Sequence, residues 1–209
     1  MIQVGRRGLT SDPVRVAELR SEFCERHCVR IPELLEPSLL SFLQQRLEGG
    51  SWQTMIHPGI GEEYVLRDVP AQNLLFFLAN TNDFRGLIEE LTGCGPLRRF
   101  RGRVYRMIPG RGHYDSWHSD FTESTPLGMS VNLSPHFRGG LFLLRERQSG
   151  RVLAEVANTG LGDALIFRIS PAFQHRISDV EGEHPKTAFA GWFSSDESEF
   201  FKEVRENTR

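Results

Sequence analysis

The chain has 209 residues, 39% of them hydrophobic and 25% charged, with a formal net charge of −2. Those values suit one globular domain that buries its core without staples, and they offer no whole-molecule attraction to nucleic acid or a membrane surface. No apolar run nears the roughly 18 residues of a bilayer span, and the opening MIQVGRRGLT lacks a signal-peptide core.

The expectation is therefore a cytoplasmic protein. Cys24, Cys28 and Cys94 form no CxxC pair and read as reduced thiols. In chain order, Asp12-Pro13 is a helix cap with proline in the first turn, followed by Val16, Leu19 and Phe23 at helical spacing. A second helix starts near Pro37, gathers Leu39, Leu40, Leu43 and Leu47 on one side, and stops at Gly49-Gly50. TMIHPGIGEEYVLRDV (54–69) reads equally as a plain hairpin or as a lid over a site mouth. PAQNLLFFLA (70–79) and DFRGLIEEL (83–91) predict two more helices, the latter stopped by Gly93.

From residue 98 the texture changes. RFRGRVYRMI, LGMSVNLS, GLFLLRE, RVLAEV, DALIFRI, FQHRI and TAFAGWF are short runs divided by turn residues, which predicts a β-sandwich or barrel. Ser194 and Glu197 form a possible capping box for a terminal helix over about 195–206. The predicted organisation is one domain over 1–209: a helical layer over about 1–95, a mostly β core over about 98–193, and that C-terminal helix.

One short stretch carries chemistry. In SWHSD, His118 and Asp120 are two apart, so on a strand they point to one side and can reach one metal ion. A third ligand is needed. Of the seven histidines, His175 is the best placed, because FQHRI follows the strand-like GDALIFRIS and an antiparallel roll can bring it back beside His118. Two imidazoles and one carboxylate make a facial triad suited to non-haem Fe(II), with zinc as the competing metal. Lys186, on the next strand-like run, is either an exposed strand-end lysine or a cation that anchors the far carboxylate of a bound dicarboxylate.

Several segments together resemble the 2-oxoglutarate- and Fe(II)-dependent oxygenases, in particular their prolyl-4-hydroxylase-like branch. YRMIPGRGHYDSWHSD is similar to the family's strand, Pro-Gly turn and HxD; SVNLSPHFRGGLFLL to its Asn-Leu strand end and following Gly-Gly; GLGDALIF to its Gly-Asp turn. QHRI and KTAFAGWF follow in the family's order, and the resemblance spans about Arg101 to Phe193. It implies a distorted double-stranded β-helix of the jelly-roll or cupin kind. It also implies Fe(II) on His118, Asp120 and His175, 2-oxoglutarate salt-bridged to Lys186, and O2 as oxidant with ascorbate as a supporting reductant. The implied reaction is hydroxylation of an unactivated C–H bond with release of succinate and CO2. The carboxylate of Asp120 argues against halogenation, since related halogenases lack it. One departure stands out: relatives place a tyrosine near the Pro-Gly turn, whereas here Met107 and Ile108 precede Pro109. Tyr105 and Tyr114 are the candidates for contacting the co-substrate, and Tyr105 reads equally as a packed strand aromatic.

Substrate signals are thin. Arg98, Arg99, Arg101, Arg103, Arg106 and Arg111 crowd the approach, and Arg99, Arg101 and Arg103 share a strand face. That face is either a basic rim for an acidic substrate or a solvated surface balanced by 27 acidic residues. Arg106 falls on the more apolar face and, pointing inward, needs a carboxylate from substrate or from a buried glutamate. Ser130 and Asn132 alternate with apolar neighbours, so they line the cavity or bond internally. Trp117 is expected to pack behind the metal strand. The expected partner is a small molecule or a peptidyl residue. The alternatives are a β-roll metalloenzyme that does not use 2-oxoglutarate and a non-enzymatic binding module on the same roll.

Overall fold

The computed structural model describes residues 1–67 and 69–196. From residue 197 on, the expected terminal helix and the Glu197 half of its capping box lie outside the described residues.

The helices form where caps and apolar spacing agree. A small hairpin of β1 (Ile2–Gly5) and β2 (Gly8–Ser11) leads into α1 (Pro13–Arg26). Asp12 caps α1 by accepting from the Val14 N–H at 3.0 Å, and the helix buries Val16, Leu19 and Phe23. α2 (Pro37–Glu48) buries Leu39, Leu40, Leu43 and Leu47. α3 (Val69–Ala79) and α4 (Asn82–Thr92) follow; Thr81 caps α4, and Gly93 ends it at φ 65, a left-handed conformation that suits glycine.

The β core is two facing antiparallel sheets. The larger runs in the order β3 (Cys28–Ile31), β12 (Ala164–Arg168), β8 (Leu127–Asn132), β15 (Lys186–Ser194), β6 (Arg99–Met107), β5 (Gly61–Leu66), β4 (Trp52–His57). A short β7 (Tyr114–Asp115) pairs with β5. The smaller sheet is β11 (Val152–Val156), β10 (Phe142–Glu146) and β13 (Phe173–Ile177). β9 (Arg138–Gly139) and β14 (Val180–Glu181) pair as a separate two-stranded ribbon. Of the segment at 54–69, expected as hairpin or lid, residues 54–66 belong to the β4–β5 hairpin, hydrogen-bonded into the large sheet through β6.

Alternation sends each strand's side chains to two different places. On one face of the large sheet, Phe100, Val104, Met129, Val131, Ala164, Ile166, Phe189 and Phe193 meet the buried faces of the helices. Fully burying one such large apolar side chain contributes roughly 1.5–3 kcal/mol, so this layer dominates stability. On the other face, Leu165 and Phe167 meet Phe142, Leu144 and Ala154 of the small sheet. A second patch there contains Tyr105, Met107 and Ala188. The site lies between the sheets, on this second face. Glycine makes room for it: a Cβ on Gly128 would sit 2.1 Å from the Phe167 ring, the ring that supports His175. Among the described residues no helix is long and apolar enough to cross a membrane.

Candidate metal centre

Backbone pairing brings the two histidines together. His118 and His175 form an isolated antiparallel bridge, with His118 N–H donating to His175 O at 3.1 Å and His175 N–H to His118 O at 2.9 Å. Their rings stand 4.4 Å apart, centroid to centroid. Asp120 follows in irregular chain, so the strand expected through His118 and Asp120 shrinks to that single bridge residue. Its carboxylate still reaches both rings: Oδ1 lies 3.6 Å from His118 Nε2 and Oδ2 lies 3.3 Å from His175 Nε2. One donor atom from each residue lies within 4.8 Å of the other two, a separation that fits a single ion.

Neighbouring groups fix how these donors point. His118 Nδ1 lies 2.8 Å from the Ser116 carbonyl, which can only accept, so Nδ1 carries a proton and Nε2 faces Asp120. Asp115 Oδ1 lies 3.3 Å from the same Nδ1, while Asp115 Oδ2 accepts the Ile177 N–H at 2.7 Å. Trp192 Nε1 donates to Asp120 Oδ2 at 2.5 Å. Phe142 and Phe167 flank the His175 ring at 5.9 and 4.7 Å.

The electrostatics of these side chains are those of crowded, opposed charges. Burial works against charge on His118, but the Asp120 hydrogen bond and the Asp115 charge outweigh it and raise the ring to about 9. Burial works against charge on Asp120 too; hydrogen bonds from both histidines overcome it and hold the carboxyl well below its usual range. Asp115 is raised, chiefly by burial. A carboxylate behind a ligating histidine orients the ring and raises its basicity, typically worth 10–100-fold in metal affinity. Asp115→Asn is accordingly expected to weaken binding of a divalent metal by about 10–100-fold, as read by competition with a chelating dye. Unchanged affinity would remove Asp115 from that role. Sequence reasoning passed over Asp115, although an acid three residues before a candidate ligand was visible; nothing local in the sequence marks Trp192 as Asp120's partner.

A cavity of about 210 Å³ opens beside the triad. Tyr105, Tyr114 and Ser130, all expected near the site, line it. Tyr105 is buried and hydrogen-bonded to Ser130, and burial pushes its hydroxyl pKa upward. Tyr114 is 43% exposed and stands at the mouth. Lys186 is not an exposed strand-end residue. It is 2% exposed, pairs in register with Met107 of the cavity wall, and donates from Nζ to the Gly140 carbonyl at 2.7 Å. Burial lowers it to about 8. Gly140 allows this approach, since a Cβ there would lie 2.9 Å from the lysine Cδ.

Two expected substrate contacts lie elsewhere. Arg106 shares a face with Val104, away from the cavity; its Nε donates to Thr187 Oγ1 at 3.0 Å and its guanidinium stacks 4.0 Å from the Trp52 ring centroid. A hydroxyl and an aromatic face thus stand where a carboxylate was expected. Asn132 is fully buried and bonds internally: Nδ2 donates to the Ser134 and Gly160 carbonyls, and Oδ1 accepts the Ser134 N–H. The cavity wall instead carries Arg103, from the face that read as either basic rim or solvated surface, together with His57 and Glu63 of the β4–β5 hairpin. Trp117 lies behind the bridge, stacked 4.2 Å from Arg145 and 5.7 Å from Arg176.

No family model matches the sequence, and no curated protein matches it. Solved structures do match. A 2OG-Fe(II) oxygenase family oxidoreductase from Burkholderia pseudomallei is 16% identical, with a TM-score of 0.63 over 93% of this chain and 96% of that one. A Pseudomonas putida prolyl-4-hydroxylase is 15% identical, with a TM-score of 0.65 over 87% of this chain and 99% of that one. The epimerase SnoN, solved with Fe3+, alpha ketoglutarate and nogalamycin RO, is 16% identical, with a TM-score of 0.61 over 88% of this chain and 84% of that one. The mostly β chain with its helical layer therefore has the double-stranded β-helix fold of the 2-oxoglutarate- and Fe(II)-dependent oxygenases.

Proposed function

We propose that this protein is an Fe(II)- and 2-oxoglutarate-dependent dioxygenase that hydroxylates a C–H bond of a small molecule or amino-acid residue. The observation that carries this reading is the convergence of His118, Asp120 and His175 between two facing sheets. Two imidazole nitrogens and one carboxylate suit ferrous iron and leave positions open for other ligands. When bound, Fe(II) with 2-oxoglutarate and O2 supplies the oxidising power, and the co-substrate leaves as succinate and CO2.

The chain's own residues fit these groups. Lys186 is a buried cation whose ammonium meets one backbone carbonyl and the face of Phe137, and the charge of Asp115, beyond ion-pair distance, offsets its burial only in part. A carboxylate end of 2-oxoglutarate supplies the missing counter-charge once the amine turns from Gly140. Tyr105 and Ser130 stand on the same sheet face and offer hydroxyls along the path toward the triad. Phe142, Phe167 and Ile177 keep the rest of the cavity apolar and limit water. Asp115 and Trp192 hold His118 and Asp120 in their ligating orientations.

Titrating 2-oxoglutarate into the anaerobic protein with and without Fe(II) tests the reading. Binding that requires iron, followed by succinate release on admitting air with ascorbate present, is the expected result. Iron-loaded protein that neither binds 2-oxoglutarate nor forms succinate overturns it. Product mass then separates hydroxylation from the epimerisation for which SnoN is named.

A further inference from the structure

The cavity has two chemically different walls. One carries the metal donors. The other, built by β4, β5 and β6, carries His57, Glu63 and Arg103. Arg103 stands in one cross-strand row with Ala190 and Ser130, small side chains that leave the space beside it unfilled.

Arg103 is held firmly in that place. Nε and Nη2 both reach Glu63 Oε1 at 2.5 Å. The guanidinium carbon lies 5.5 Å from the Trp192 ring centroid and 5.9 Å from that of Tyr105. His57 Nε2 reaches the same glutamate oxygen at 3.1 Å. Trp192 in turn donates to Asp120, so Arg103 is one indole ring away from a candidate metal ligand. A group held at Arg103 leaves the rest of a small molecule beside the triad.

The chemistry of this wall selects its ligand. Most other polar side chains of the cavity are committed: Asp115 and Trp192 to the metal donors, Ser130 to Tyr105. A charge-balanced Arg–Glu pair repels a net anion through Glu63 and a net cation through Arg103. It accommodates a molecule that brings both charges at once, a carboxylate for the guanidinium and an ammonium for the glutamate. Glu62, also in the lining, adds to the ammonium side. The cavity's 210 Å³ is below the roughly 300–1,000 Å³ of common ligand pockets, so the molecule is small.

We propose that Arg103 and Glu63 bind the carboxylate and ammonium of a free amino acid and so direct its side chain toward the His118–Asp120–His175 centre. This deepens the oxygenase reading and rests on it. The probes are the twenty proteinogenic L-amino acids, each beside its N-acetyl acid and its N-acetyl amide. They are added to the protein loaded with Fe(II) and 2-oxoglutarate, with succinate release and anaerobic calorimetry as readouts. At least one free amino acid is expected to raise succinate release tenfold or more, and both blocked forms to lose at least tenfold in affinity. Arg103→Met is expected to lose the amino-acid response. The isosteric Glu63→Gln, which leaves Arg103 uncompensated, is expected to shift preference by tenfold or more toward the N-acetyl acid. If 2-oxoglutarate binds but no free amino acid stimulates, or if the N-acetyl amides act better, the amino-acid site is overturned while the oxygenase reading stands. The second of those results assigns a residue within a polypeptide instead. Failure of 2-oxoglutarate itself to bind overturns both.

Discussion

Asp120→Ala is expected to abolish stoichiometric iron binding, and with it every iron-dependent activity. Asp120 is the one anionic donor of the three, and it touches both imidazoles, at 3.6 and 3.3 Å. Without it the site has two neutral nitrogens and no charge to offset the cation's desolvation. The loss should exceed the roughly 10–100-fold that removal of a supporting contact costs. The substitution also strands the Trp192 N–H, a cost of about 1–3 kcal/mol if the indole finds no other acceptor. Asp120→Asn separates the two effects, because an amide oxygen still accepts from Trp192 but carries no charge. Metal analysis after dialysis should show both variants depleted of iron; both should melt below the native protein, since each loses the charge that pairs with the two histidines, and the alanine variant should melt lower than the asparagine variant. Full iron occupancy in Asp120→Ala would remove this residue from the ligand set.

Much of this site was legible in the sequence, and the parts that were not share a physical cause. His118 and Asp120 could be read together because their spacing is short, and His175 because one of the strand-like runs carries it. Composition alone favoured an exposed strand end for Lys186; its burial against Gly140, from a distant turn, is not written locally. Alternation in β6 correctly separated Arg103 from Arg106. It could not say which face meets the metal, since both faces of this sheet are covered, one by helices and one by the small sheet. The more apolar face is the one under the helices, so Arg106 was assigned to the wrong compartment. Asn132, alternating with apolar neighbours, read equally as a cavity contact or as internally bonded, and its hydrogen bonds are internal. Of its actual partners, Ser134 is local, two residues on in the chain, and only the Gly160 carbonyl is brought to it by the closed roll. The helices were the easiest part, because caps such as Asp12 and Thr81 and stops such as Gly93 act within a few residues.

Lys186→Met is expected to move two observables in opposite directions. The lysine side chain is buried, and its charge is held at about 8 instead of the ordinary 10.5. A folded value below the unfolded one means that the folded protein bears a cost for keeping the amine charged. That cost is fully present below about 8 and is gone above 10.5, so stability from this group rises with pH between those limits. The difference corresponds to roughly 3–4 kcal/mol at about 1.4 kcal/mol per pH unit. Methionine fills similar space without charge, so at pH 7 the variant should melt higher than the native protein, an advantage that shrinks toward pH 10.5. Its affinity for 2-oxoglutarate should fall by roughly 2–5 kcal/mol, about 30-fold or more, because the buried carboxylate then lacks its cation. The native protein should bind 2-oxoglutarate with steady affinity below about 8 and lose up to about tenfold per pH unit above it, as the amine of the free site gives up its proton. Denaturation and calorimetry across this pH range measure both trends. A variant that is less stable and binds 2-oxoglutarate as well as the native protein would make Lys186 a packing residue and leave the dicarboxylate without its anchor.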